Sequence, residues 1–214
     1  MKFKLRLYKA ILEQVLIFHN YSYKVASVLV KKVEPGGAHP KHRIMKYHDF
    51  FVNNVKENDV VADIGCGKGE VAFDVAKKAK RVVGIDINES WIETAKKKHS
   101  AENIEYKLGD ATKDFPNEQF DVVILSNVIE HIEERVKFLQ DVKHLAPTFL
   151  IRVPMINRDW IVLYKKEIGV EWRLDNTHYT EYTLEQLVDE VERAGLHIES
   201  QSIQFGEIWA IVKK

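Results

Sequence analysis

The chain has one cysteine, five prolines and no surplus of either charge, with 32 Lys and Arg balancing 32 Asp and Glu over 214 residues. A lone thiol excludes a disulfide framework and a four-cysteine zinc site, and it suits a reducing compartment, so the cytoplasm is the expected location. No run of about 18 uncharged apolar residues occurs, so no transmembrane span is expected. Met1-Lys2-Phe3-Lys4-Leu5-Arg6 opens like a secretory leader, but Glu13 and Gln14 interrupt the apolar stretch and no small-residue cleavage site follows. No signal peptide is therefore expected. Internal repeats and low-complexity segments are also missing, and the length suits one sizeable domain with an extension.

The zero net charge hides an asymmetry. Residues 1–46 carry ten basic side chains against Glu13 and Glu34, a net of +8, which leaves −8 for the remainder. A basic extension on an acidic body can meet an anionic membrane, a phosphorylated substrate or RNA, or it can be the solvated face of helices docked on that body. Leu5, Tyr8, Ile11, Leu12, Val15 and Leu16 recur at helical spacing, and Val25, Val28 and Leu29 continue the pattern after Asn20. This predicts an amphipathic helix or helix pair. Glu34-Pro35-Gly36-Gly37 reads as a linker, and a second helix restarts at Pro40 and runs to Phe51. We place an N-terminal helical extension over 1–55 and the main domain over 56–214.

The main domain alternates strands and helices. Strands are expected over 60–64, 81–86, 103–108, 120–126 and 148–154, with helices near 68–79, 89–98 and 132–145, which predicts a doubly wound parallel sheet. Thr183-Leu184-Glu185-Gln186 is a capping box that opens a helix ended by Gly195, and strands near 196–204 and 207–213 flank Gly206 as an antiparallel hairpin.

Chemistry enters at Asp63-Ile64-Gly65-Cys66-Gly67-Lys68-Gly69. A glycine-rich strand-to-helix turn lets backbone approach a ligand and aims amide N–H groups at it. The spacing is G-x-G-x-G after an acid, not the G-x-G-x-x-G of dinucleotide folds. Asp86 then ends the second strand, where a carboxylate can accept both hydrogen bonds of a ribose diol. Asp110 follows the third strand, and Ser126-Asn127-Val128-Ile129-Glu130-His131 follows the fourth.

That series of acids, glycines and the Ser-Asn-x-x-Glu-His segment resembles the class I S-adenosylmethionine-dependent methyltransferases. The resemblance implies a seven-stranded, mostly parallel α/β sheet with a reversed C-terminal hairpin, and S-adenosylmethionine as cofactor. It implies that Asp63 lies near the cofactor's ammonium group, and that Gly65, Cys66 and Gly67 lie against its methionine portion and ribose. It further implies that Asp86 holds the ribose hydroxyls, Asp110 meets the adenine amine, Ile87 and Ala111 flank the ring, and Ser126 offers its backbone. Asp175-Asn176-Thr177-His178-Tyr179-Thr180-Glu181-Tyr182-Thr183 is similar to an Asp-Pro-Thr-His pattern of small-molecule and glycan-pathway methyltransferases, with Asn176 in place of Pro.

His131 is the candidate general base, with Glu130 beside it to orient an imidazole or bind substrate, and His178 is a second candidate. Glu130, His131 and His178 also keep part of a divalent-metal set known from small-RNA terminal 2′-O-methyltransferases. Asn127 replaces its first Glu, which disfavours a hard cation, and the expectation is therefore no metal. The segment 155–182 sits at the carboxyl edge of the sheet and reads as a substrate-covering insertion, with Arg158, Trp160, Tyr164, Trp172 and Tyr179 as candidate contacts and Arg43 as another from the extension. The expected reaction is O-methylation of a small molecule or of a lipid- or nucleotide-linked sugar. The alternatives are an RNA 2′-O-methyltransferase, disfavoured because no RNA-binding module is recognisable, and a non-catalytic methyltransferase-like subunit. The oligomeric state is left open.

Overall fold

The computed structural model describes residues 2–35, 39–110, 113 and 118–214. The chain opens with α1 (Lys2–Val33), followed by α2 (Lys41–Met45) and α3 (Tyr47–Asn53). The body then runs β1 (Val60–Ile64), α4 (Glu70–Ala76), β2 (Arg81–Asp86), α5 (Glu89–Lys98), β3 (Ile104–Leu108) and β4 (Val122–Ser126). It continues through α6 (Arg135–Val142), β5 (Thr148–Pro154), α7 (Trp160–Glu167), α8 (Leu184–Arg193), β6 (His197–Gln204) and β7 (Glu207–Lys213). The strands form one seven-stranded sheet in the order β3-β2-β1-β4-β5-β7-β6. All neighbours pair in parallel except β7, which runs antiparallel to both β5 and β6.

The central strands are mostly apolar because both of their faces are covered, with Asp63 and Arg152 among the buried charged exceptions. Ile64, Val83, Leu125 and Phe149 point into a cluster shared with α6 and α8, whereas Val61, Val82, Ile124 and Leu150 point into a second one shared with α3, α4 and α5. Tyr47, Phe51 and Val55 are buried in the second cluster, so α3 packs as part of the body although it precedes residue 56. Strand order reverses between β1 and β4, and the crevice above that switch point is where open α/β sheets bind ligands.

The expected doubly wound sheet, its fifth strand and its terminal hairpin are present, and Thr183 forms the anticipated capping box with Gln186. Several elements differ from expectation. No break occurs at Asn20, because its side chain reaches across to the insertion instead of capping a helix end, donating to Glu171 O at 2.6 Å and accepting from Lys165 Nζ at 2.7 Å. The helix expected over 40–51 is split at Lys46, whose φ of 50° breaks the helical run. The helices expected at 68–79 and 132–145 are shorter, since residues 65–69 and 127–134 are used in turns. The insertion carries a helix of its own, α7, that its aromatic-rich sequence did not announce. Gly36 and Gly37 of the expected linker lie outside the described residues.

Candidate functional site

The glycine loop is held by β2. Gly65 N and Cys66 N donate to Ile85 O at 2.8 and 3.0 Å, and Gly67 N donates to Asp86 Oδ2 at 2.8 Å. Asp86 Oδ1 accepts from Asn88 N at 2.8 Å, so this carboxylate ties the loop to the start of α5. Gly65, Gly67 and Gly69 have φ of 71°, 56° and 84°, in the left-handed region that favours glycine. A Cβ on Gly65 would sit 2.6 Å from Val128 Cγ2, so the loop is pressed against the exit of β4. Cys66 is buried, and burial pushes its thiol well above the ordinary range, which makes it a packing residue of the loop and not a nucleophile.

At the end of β1, Asp63 is 1% exposed, and among the described residues its Oδ2 has no hydrogen-bond partner. Burial, aided by the nearby Asp86 charge, raises its carboxyl to about 8. An orphaned buried carboxylate at a ligand crevice calls for a cationic or N–H partner.

The exit of β4 is strained. Asn127 adopts φ 58°, and the chain then tightens into a single 3₁₀ turn, Ile129–His131. This turn buries Glu130 completely, and neither of its carboxylate oxygens has a hydrogen-bond partner among the described residues. Burial lifts its carboxyl to about 7. Its backbone carbonyl accepts from Tyr179 N at 2.8 Å, which pins the insertion to the turn. The two candidate histidines, 47 positions apart by number (178 − 131), thereby meet with ring centroids 4.6 Å apart at 76°.

Each ring is oriented by a partner. The Thr177 hydroxyl donates to Asp175 Oδ1 at 2.8 Å and lies 2.9 Å from His131 Nδ1. With its proton committed to Asp175, Thr177 accepts from His131 Nδ1–H, leaving the lone pair on Nε2. Burial and the neighbouring His178 hold His131 below its ordinary value of 6.5, so the neutral imidazole prevails at pH 7. His178 is buried with Nδ1 3.0 Å from Glu181 Oε1. One ligand atom from each of Glu130, His131 and His178 falls within 4.8 Å of the others, a spacing that can accommodate a cation.

Of these three, His178 lines a groove of about 1950 Å³ between the strand ends, the N-terminal helices and the insertion, whereas Glu130 and His131 adjoin His178 without lining the groove themselves. Asp63, Gly65, Cys66, Ser126 and His178 line it, as do Arg43, Arg158 and Trp172. Arg158 turns most of its donors inward, to Met155 O at 2.7 Å, Trp172 O at 2.9 Å and the Glu181 carboxylate, so it holds the insertion together. Arg43 pairs with Glu34 at 3.1 Å. Trp160, Tyr164 and Tyr179 do not line the groove; Trp160 is 74% and Tyr179 60% exposed. Asp86, Ile87 and Asp110 stand at the ends of β2 and β3 beside it, with Ile87 exposed and Asp110 paired to Lys113 at 2.9 Å. Ala111 lies outside the described residues.

Sequence reasoning missed two networks. Arg152 and Glu207 form a buried bidentate pair with both contacts at 2.6 Å, and the Arg152 guanidinium lies 3.8 Å from the Tyr47 ring centroid. Tyr47 Oη meets His42 Nδ1 at 2.8 Å, and His48 Nδ1 lies 2.6 Å from Asp74 Oδ2. Burial, with His48 and Lys41 adding to it, lowers His42 to about 4, so it stays neutral. The density of His and Tyr over 42–48 was a visible signal, but the Arg152–Glu207 pair depends on an antiparallel register that no local pattern reveals.

Residues 62–146 match the family model described as Methyltransferase domain. The ubiquinone biosynthesis O-methyltransferase of Rhodopseudomonas palustris (strain BisB5) is 30% identical over 151 residues, covering 65% of this chain and 59% of that protein. The chain thus spans well under two thirds of that relative's length. Among solved structures, magnesium protoporphyrin IX methyltransferase from Synechocystis PCC 6803 with bound SAH aligns with a TM-score of 0.63 at 19% identity, over 81% of this chain and 83% of that one. An S-adenosylmethionine-dependent methyltransferase from Clostridium acetobutylicum aligns with a TM-score of 0.62 at 14% identity, over 82% and 96% respectively. At these identities the structures establish a shared fold.

Proposed function

We propose that the chain is a class I S-adenosylmethionine-dependent methyltransferase, as the methyltransferase-domain match over residues 62–146 and the shared fold support, and that it methylates a hydroxyl oxygen with His131 as general base. The observation that carries the proposal is the His131 ring, neutral at pH 7 and oriented through Nδ1 by Thr177, close to a buried carboxylate and to His178 of the groove at the exit of β4. The glycine cradle and the orphaned Asp63 oxygen fit the cofactor. When bound, S-adenosylmethionine supplies an electrophilic methyl group on a sulfonium.

Asp63 would take the cofactor's ammonium group, and the loop from Gly65 to Gly69 would lie against its methionine and ribose portions. Asp86, Ile87 and Asp110 would border the nucleoside. His131 Nε2 withdraws the acceptor's proton as the oxygen becomes nucleophilic, and Asp175 acting through Thr177 keeps the ring in the competent tautomer. His178, buried and fixed by Glu181, packs against the His131 ring from the groove, and the carboxyl of Glu130 lies close to both. Trp172 and Arg43 remain candidate acceptor contacts at the groove. Alignment of acceptor and methyl lowers much of the barrier, and base catalysis contributes roughly 10² to 10⁴-fold.

The O-methyltransferase name of the curated relatives supports oxygen as the acceptor atom. A groove of about 1950 Å³ exceeds the usual range of roughly 300 to 1,000 Å³ for a ligand pocket. That space supports an acceptor of substantial size beside the cofactor, such as a small molecule carrying a long substituent or a linked sugar.

The test begins by finding which compound in a cell extract gains the mass of one methylene in the presence of enzyme and cofactor. On that acceptor, His131→Ala should reduce kcat by about 10² to 10⁴-fold with little change in cofactor affinity, and should remove the acidic limb of the wild-type pH profile, which lies below 6.5. Retention of the full rate refutes the assignment. A second reading is favoured by the convergence of Glu130, His131 and His178 around an orphaned carboxylate, where a divalent cation would orient the acceptor oxygen. Loss of turnover in chelator, with recovery on adding back a divalent ion, selects that reading.

A further inference from the structure

The helix α1 is docked the wrong way round for a globular protein. Its polar stripe, Asn20, Lys24, Ser27 and Lys31 at positions i, i+4, i+7 and i+11, lines the groove of the body. Its apolar side faces outward. Fifteen large apolar or aromatic residues of α1 are exposed, and Leu16 is the buried one among its described side chains. Ile11, Val15, Phe18 and Leu29, on the side opposite the stripe, are 51%, 56%, 67% and 52% exposed. An outward apolar face of this extent marks an interaction surface.

We propose that α1 is an interfacial anchor that lies in the plane of an anionic membrane, with the body and its groove held above it. Two features select a lipid surface over a second copy of the chain. At 100° per residue, the outward apolar positions run from Val28 through Phe18 to Leu12 and cover more than half of the helix circumference, whereas a paired helix buries only the narrow seam of an a/d pattern. A bilayer interface accepts such a wide arc. The charge is also complementary: Lys2, Lys4, Arg6 and Lys9 precede the first acid of the helix, Glu13. Among the described residues Lys4, Arg6 and Lys9 have no acidic partner; Lys4 lies in the outward arc, where it meets lipid phosphates, and Arg6 and Lys9, on the side of the polar stripe, add to the positive field of the helix. Among the described residues no helix is long and apolar enough to cross a membrane, so this one would lie on the surface. Because its polar stripe lines the groove, the anchor would hold the groove about one helix diameter from the bilayer.

The test uses the full chain and vesicles of phosphatidylcholine with or without phosphatidylglycerol, and it reads binding by co-sedimentation. It needs no turnover, so it stands apart from the methyl-acceptor reading. The wild type should sediment with the anionic vesicles and be released by salt. Lys4→Gln with Lys9→Gln should weaken the partition by at least about tenfold, and Ile11→Glu with Phe18→Glu should abolish it. Ile44→Glu, an exposed apolar change outside α1, should leave it unaltered. Circular dichroism and melting temperature check that each variant is folded, and the paired lysine change, being fully on the surface, keeps the test open if the apolar pair unfolds the chain. Failure of the wild type to bind anionic vesicles overturns the proposal. So does a lipid-free dimer, seen by light scattering, that Ile11→Glu with Phe18→Glu dissociates while vesicle binding is unchanged.

Discussion

Two buried carboxyls, Asp63 and Glu130, set the electrostatics of the site. Asp63 has an ordinary value of 3.8 and is raised to about 8 in the fold, so the fold favours its protonated form. Its contribution to stability is complete below pH 3.8 and is lost as pH climbs towards about 8. Glu130 adds the same sign of dependence between 4.5 and about 7. The ligand-free protein should therefore melt at lower temperature as pH rises from 4 to 8, and Asp63→Asn should flatten the upper part of that slope in scanning calorimetry. A cationic ammonium group needs the ionised carboxylate, so cofactor affinity should rise with pH over the same interval in the wild type. The Asn variant should lose that dependence and roughly ten- to a hundredfold in affinity, the scale of one charge-assisted hydrogen bond, measured by titration calorimetry.

Among the elements, the insertion over 155–182 decides how the site is assembled. Its buried apolar residues are Met155, Ile156, Val162, Val170 and Tyr182, and between Ile156 and Tyr182 it also depends on a polar knot in which Arg158 and His178 both engage Glu181. Glu181 is 1% exposed, so Arg158→Ala would strand a buried charge at a cost of roughly 3 to 5 kcal/mol. The melting temperature should fall by about 10 °C on the scale of 2 to 4 °C per kcal/mol for a chain of this size. His178 would lose its fixed orientation, so turnover should fall further than cofactor binding does. A melting temperature equal to wild type would show that the knot is not what holds the insertion.

For the whole molecule, the sheet brings the cofactor loop, the β4 turn and the insertion to one crevice, so a ligand there couples elements remote in sequence. Saturation with S-adenosylmethionine at a hundred times its Kd should stabilise the native state by about 2.7 kcal/mol, seen as a rise in melting temperature of about 5 to 10 °C. NAD at the same concentration should give no shift, because the loop lacks the dinucleotide spacing. The groove between the basic N-terminal helices and the acidic body gives the charge asymmetry of the sequence a structural place, with Lys24, Lys31 and Lys41 facing Asp63, Glu70 and Glu207.

The strands, the terminal hairpin and the glycine loop were legible in the sequence because each rests on short-range rules, whereas the order of the strands in the sheet came from the tertiary structure. Apolar runs of β-branched residues mark doubly covered strands, glycines at alternate positions mark a turn that needs positive φ, and Thr183 with Gln186 marks a cap. His131 and His178 could be named separately, but their contact depends on backbone bonds from Tyr179 and Thr180 to Glu130, which no local pattern encodes. The same holds for Arg152 and Glu207, joined by an antiparallel register, and for Arg158, whose guanidinium turns inward to Glu181. The periodicity of residues 5–29 forecast an amphipathic helix, yet only the tertiary structure decided which side of it meets the body. Periodicity fixes the faces of a helix relative to one another, whereas the long-range contacts of Asn20 with Glu171 and Lys165 fix them relative to the rest of the chain.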